Sequence, residues 1–101
     1  MNFVYLTEIY ENEDITSSNR KNLSLREIVI NTSHVVAIRD DLRIKKKMTT
    51  HNLWPKDLDV RNEFTKISIN FAGSQTSSHV TVVGAMSLVL EKIHGANNNG
   101  T

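Results

Sequence analysis

A chain of 101 residues, 39% of them hydrophobic, has the size of one domain with one core and leaves no room for a second. Twelve basic and eleven acidic side chains give a formal charge of +1, so no overall field draws the chain to nucleic acid or anionic lipid, and any such role has to come from a local patch. Cysteine is absent, which removes disulfides, thiolate nucleophiles and cysteine-held metals together and fits a reducing compartment.

Residues 1–10 read as a strand with Phe3, Tyr5 and Ile9 on one face and Val4, Leu6 and Tyr10 on the other. Both faces are apolar, so the strand is covered on both sides within the domain or on one side by another subunit. Residues 11–22 are acidic, then rich in Ser and Asn, and read as a loop. Strand character returns over 23–31, where Leu23 and Leu25 fall on odd positions while Ile28 and Ile30 fall on even ones. A bulge near Arg26-Glu27 reconciles the two phases. Asn31 to Ser33 is a polar turn, and the nearly continuous apolar run Val35 to Ile38 reads as a central strand.

Residues 40–60 lack a clear period and read as a long hairpin excursion rich in cations. Pro55 disfavours the helical region at Trp54, so any helix here stops short of it. About twenty residues are more than a connection needs, and loops of that length are functional or disordered. Ile67, Ile69 and Phe71 then alternate with Lys66, Ser68 and Asn70, the pattern of a strand with one face buried and one wet. A Gly/Ser-rich loop over 72–78 and the run Val80 to Val83 complete a hairpin. From Gly84 the period changes. Met86, Val89, Leu90 and Ile93 form one helical stripe over 84–94, with Gly95 as the stop and a tail over 96–101 that has nothing to bury.

The fold class that follows is α+β: about five mainly antiparallel strands in a small curved sheet or open barrel, with one C-terminal helix packed on it. Residues 1–95 form this single β-rich domain and 96–101 a disordered tail. The core is expected to hold Leu6, Ile28, Ile30, Val36, Ile38, Ile67, Ile69 and Val82 beside the helical stripe.

For catalysis the sequence provides no pattern. His34, His51, His79 and His94 do not fall at i, i+4 around a carboxylate, and no P-loop, nucleophile-elbow or dinucleotide motif is present. Asp40-Asp41 and Glu13-Asp14 are adjacent pairs, which a strand points to opposite faces. His34 and His79 flank strand starts and come together if those strands pair, either to share a turn or to begin a metal site whose further ligands the sequence does not name. The chain is therefore read as neither an enzyme nor a holder of metal or cofactor.

One set of residues suits ligand binding. Arg39, Arg43, Lys45, Lys46, Lys47 and Lys56, with His51 and Trp54 as planar surfaces, combine cations for phosphates with rings that stack. In the alternative, Trp54 folds back over the sheet edge and the lysines keep that edge soluble. No carboxylate lies between Asp41 and Asp57, so the lysines have no local acid to pair with.

The runs Phe3-Val-Tyr-Leu-Thr7, Ile28-Val-Ile-Asn31, His34-Val-Val-Ala-Ile38, Thr65-Lys-Ile-Ser-Ile69 and Val80-Thr-Val-Val83, followed by a closing helix, resemble the small flagellar proteins called FlbD or SwrD and their phage-encoded lookalikes. Segment 42–60 and the N-terminal loop lie outside the resemblance. It implies a strand-rich module without catalytic residues, of flagellar or phage accessory type.

Two functions stay open. One is a non-catalytic interaction module, oligomeric and cytoplasmic, that binds a protein through an exposed strand edge or apolar face. The other is a phage-type accessory protein that sequesters a nucleotide or contacts nucleic acid through 39–56. No membrane contact is expected, because the longest apolar runs fall far short of the roughly 20 residues a span needs and the first residues lack the order of a signal peptide.

Overall fold

The computed structural model describes residues 2–13, 21–51, 58–59, 61–70 and 77–98. In chain order these contain strand β1 (Phe3–Glu13), strand β2 (Lys21–Asn31), a 3-10 turn (Thr32–His34), strand β3 (Val35–Asp40), helix α1 (Leu42–His51), strands β4 (Phe64–Ile69) and β5 (Ser78–Val83), and helix α2 (Met86–Asn98). The strands form one open antiparallel sheet in the order β2-β1-β5-β4-β3. The α+β class with a C-terminal helix is therefore present, with α1 as an additional helix where a loop excursion is expected.

The sheet is covered on both faces, each by one helix and each only in part. On the first face Val4, Leu6, Ile30, Ile67 and Val82 meet Val89 and Ile93 of α2, with Ile28, Ile38, Ile69, Val80 and Ala96 partly buried around them. On the second face Ile9, Leu23 and Phe64 meet Met48 of α1, with Leu25, Ile44 and Val83 packed alongside. This division explains the change of phase in β2. The ladder to β1 runs without a break from Phe3↔Asn31 to Glu13↔Lys21, so there is no bulge at Arg26-Glu27. Ile28 and Ile30 point to the α2 side at one end of the strand, and Leu23 and Leu25 point to the α1 side at the other. An odd-to-even switch of apolar residues is what a straight strand shows when its two ends are covered on opposite faces.

Other expectations change for related reasons. The irregularity lies instead in β3, between Val35 and Ala37, and it turns Val36 out to 58% exposure. β3 is an edge strand, not a central one. β4 is not wet on one face: Phe64 and Ser68 are buried on the α1 side while Thr65 and Ile67 are buried on the α2 side. Within α2 the buried arc is Val89 and Ile93, continued by Ala96, so that Met86 and Leu90 (53% exposed) look outward and do not join the core. Gly95 does not end this helix, which runs on to Asn98.

Two local devices place the helices. Gly84 adopts φ +129°, a conformation that side chains resist, so the chain can leave β5 and start α2 within two residues. Its N–H donates to the Glu63 carbonyl at 2.7 Å, and its carbonyl accepts from Thr65 Oγ1 at 2.8 Å. Asp41 performs the corresponding task for α1. Its Oδ1 accepts from the Ile44 N–H at 3.1 Å, a helix N-cap, and its Oδ2 accepts from Thr81 Oγ1 at 2.7 Å, which pins the helix start to β5. The expected polar turn after β2 is the 3-10 turn, with Asn31 Oδ1 accepting from the Ser33 N–H and hydroxyl.

Candidate functional site

The residues expected to bind a ligand do not lie on one loop. Arg39 is on β3, Arg43, Lys45, Lys46 and Lys47 are on α1, and His51 ends that helix; Trp54, Lys56 and the side chain of His51 lie outside the described residues. Helical spacing sorts the cations by face. Arg43 and Lys47, one turn apart, line a shallow groove of about 310 Å³ together with Ile44, Asp41, Glu11 and Lys66. Lys45 lies on another side of the helix, in a small cleft with Asp40 and Glu63, and Lys46 faces outward.

Strand register adds what the sequence did not single out. Thr81 of β5 pairs with Lys66 of β4, and Lys66 pairs with Arg39 of β3, so two cations stand side by side on the face that carries α1. Directly opposed like charges destabilise a strand pair. Both acids in the groove are engaged within the fold. Asp41 uses one oxygen for the helix cap and the other for Thr81, and Glu11 takes the Lys47 ammonium in an ion pair. Lys47 therefore finds across the fold the acid that its own segment lacks. Among the described residues, Arg39, Arg43 and Lys66 have no such partner.

A second surface lies at the far end of the same face. α1 covers Ile9 and Leu23 but not the start of β1, where Phe3 (48% exposed), Tyr5 (65%) and Val29 (48%) stand together, Tyr5 and Val29 as direct cross-strand partners. Among the described residues β1 pairs with β5 only at Glu8 and Ile9, so Phe3 to Thr7 have a strand partner on the β2 side alone. Beside that edge is a wide groove of about 490 Å³, bordered by Asn2, Phe3, Val4, Tyr5 and, on α2, Lys92, Gly95 and Ala96.

On the α2 side of the sheet, beyond the helix, Glu8 is buried and accepts from Arg26 Nε at 2.7 Å, while the guanidinium lies 4.0 Å from the Tyr10 ring centroid. That bond holds the Arg26 pKa above its ordinary value. The arrangement is a cross-strand ion pair under a cation–π contact, and it closes the hairpin where α2 ends its cover. His34 and His79 do not meet, because β4 lies between β3 and β5. The His34 carbonyl accepts from the Asn70 N–H at 2.9 Å, and His79 Nδ1 shares a 2.8 Å hydrogen bond with its cross-strand partner Ser68. Among the described residues no three His, Asp or Glu side chains gather as metal ligands, and no helix is long and apolar enough to cross a membrane.

Compared with protein-family models, with curated proteins and with solved structures, the chain matches none of the three.

Proposed function

We propose that the chain is a non-catalytic interaction module that assembles through the first half of β1, with a second copy of itself as the occupant. One observation carries this reading: among the described residues, Phe3 to Thr7 have neither a helix over one face nor a strand along one edge. Free main-chain groups beside exposed aromatic rings are the two ingredients of recognition by strand addition, in which the ladder supplies affinity and alternate side chains supply selectivity. The sequence Phe3-Val4-Tyr5-Leu6-Thr7 contains no charge, so two copies paired antiparallel about a two-fold axis bring no like charges together. The groove beside the edge leaves room for the incoming strand.

Light scattering on the purified chain tests this directly. The parent is expected to show the mass of a dimer or a multiple of it, and Tyr5→Lys, which sets two cations against each other across the axis, is expected to give a monomer with unchanged circular dichroism. A parent that remains monomeric at its highest soluble concentration overturns the proposal.

A further inference from the structure

We infer a second binding function, independent of that assembly: the groove bounded by α1, by Lys66 of β4 and by Glu11 of β1 is a site for a compact phosphate-bearing anion. Five strands place Leu25, Ile9, Thr81, Lys66 and Arg39 in one row across the sheet face that carries α1. The row passes from apolar to cationic. Where it becomes cationic, α1 brings Arg43 and Lys47 over Lys66.

Neutralisation from within the chain is incomplete. Asp41 has committed both oxygens to the helix cap and to Thr81, and Glu11 is matched by Lys47. Among the described residues the lining therefore holds three cations, Arg43, Lys47 and Lys66, against the two carboxylates Asp41 and Glu11, and with the neighbouring Arg39 the surplus is two positive charges. Lys66 is half-buried in mid-strand directly opposite Arg39, a position where an uncharged residue would serve the sheet better. An anion held between them turns that repulsion into attraction.

The chemistry of the site selects the anion. Three cations and two carboxylates line a groove of about 310 Å³ in which Ile44 is the one apolar side chain among the described residues. That space is near the lower end of ligand sites and suits a compact anion. Di- and triphosphate groups concentrate the most charge in such a volume, and an arginine beside lysines provides both fork-shaped and point-like donors for them. The phosphates can be those of a free oligophosphate or of a nucleotide, and the experiment below separates the two.

Titration calorimetry with inorganic tripolyphosphate and with ATP at low and moderate salt tests the site, with Arg43→Ser/Lys66→Ser as the groove variant and Lys46→Ser as an equal-chemistry control off the groove. The parent is expected to bind tripolyphosphate with an affinity that falls as salt rises. The groove variant is expected to lose about tenfold or more and to show a flatter salt dependence, while the control binds like the parent. Tighter binding of ATP identifies a nucleotide as the natural source of the phosphates, and equal binding identifies the oligophosphate itself. Should the double variant fail to fold, Arg43→Ser alone, on the exposed side of a helix, is expected to weaken binding in the same sense. Three results overturn the proposal: no tripolyphosphate binding at millimolar concentration in low salt, equal losses in the groove variant and the control, or binding confined to a single-stranded oligonucleotide, which would indicate a diffuse backbone contact instead of a built site.

Discussion

Replacing Met48 with Ala separates a helix that belongs to the core from a basic excursion lying on the surface. Met48 is fully buried, against Ile9, Leu23 and Phe64, and it is the deepest point at which α1 touches the sheet. Removing its outer atoms forfeits roughly 1.5–2 kcal/mol of transfer free energy at about 25 cal/mol per Å² of apolar surface. The void adds to this. Cavity volume costs about 24 cal/mol per Å³, so a space of roughly 40–60 Å³ surviving after partial collapse contributes about 1–1.5 kcal/mol more. The better helix propensity of Ala returns only a few tenths, which leaves a net loss of ~3 kcal/mol. In a domain of this size such a loss lowers the melting temperature by roughly 12–20 °C. Urea unfolding followed by circular dichroism measures it, and an unchanged m-value confirms that the variant unfolds from the same compact state. Leu90→Ala is the internal control, because Leu90 is half-exposed on the outer side of α2, and it is expected to cost less than about 1 kcal/mol. If Met48→Ala costs under about 0.5 kcal/mol, or no more than Leu90→Ala, the placement of α1 on the sheet is wrong.

Two further outcomes follow from the polar contacts. Asp41→Ala removes the α1 cap and the bond from Thr81 together, and is expected to cost about 1–2 kcal/mol by chemical denaturation, whereas Asp41→Asn, which keeps a cap, should recover most of that. Asp59 accepts from the Arg61 side chain and then from its backbone N–H, and these bonds hold its carboxyl below the ordinary aspartate value. A carboxyl with a depressed folded pKa contributes stability that is present above its unfolded pKa and is lost as pH falls through the folded one. Carbon-detected titration should accordingly find Asp59 titrating below the usual aspartate range, with Arg61→Ala moving it back up, and an unchanged titration in that variant would refute the assignment.

Much of this fold was legible as periodicity, and the parts that were not share one cause. Apolar runs bounded by polar turns located all five strands, and the 3.6-residue stripe located α2, although Val36 in β3 and Met86 and Leu90 in α2 are exposed. α1 gives a thinner signal. Only Ile44 and Met48 mark its buried side among Arg43, three lysines and two threonines, and Leu42, the third apolar residue, is largely exposed. Asp41 followed by that i, i+4 pair was the readable signature, but the lysine run outweighed it. The odd-to-even switch in β2 was visible and its cause was not, since one-dimensional phase cannot distinguish a bulge from cover on alternate faces. The α2 stripe was wide enough to include Leu90, and only the addition of Ala96 from beyond Gly95 shows which arc meets the sheet. The site was half legible: Arg43 and Lys47 came from composition, whereas Lys66 and Glu11 belong to the groove solely through strand register and helix placement.

The Asp41–Thr81 bond links these observations. It fixes the start of α1 over the middle strand β5. From that anchor the buried side of the helix reaches Ile9 and Leu23 on β1 and β2, and Arg43 and Lys47 are left over Lys66. One short helix thereby contributes to the core and to a cationic groove by means of two different arcs, and it ends before reaching Phe3, Tyr5 and Val29. A nearly neutral chain can carry both surfaces because charge is sorted by position in the sheet and not by segment of the sequence. The edge proposed for assembly and the groove share no described residue, so a charge placed at Tyr5 and a charge removed at Arg43 act at separate places. Effects of that kind add when the sites are distant and have no common partner. A combined variant that loses assembly and anion binding to the extent of the two single changes is what this geometry requires, and strong non-additivity would mean that assembly itself builds part of the groove.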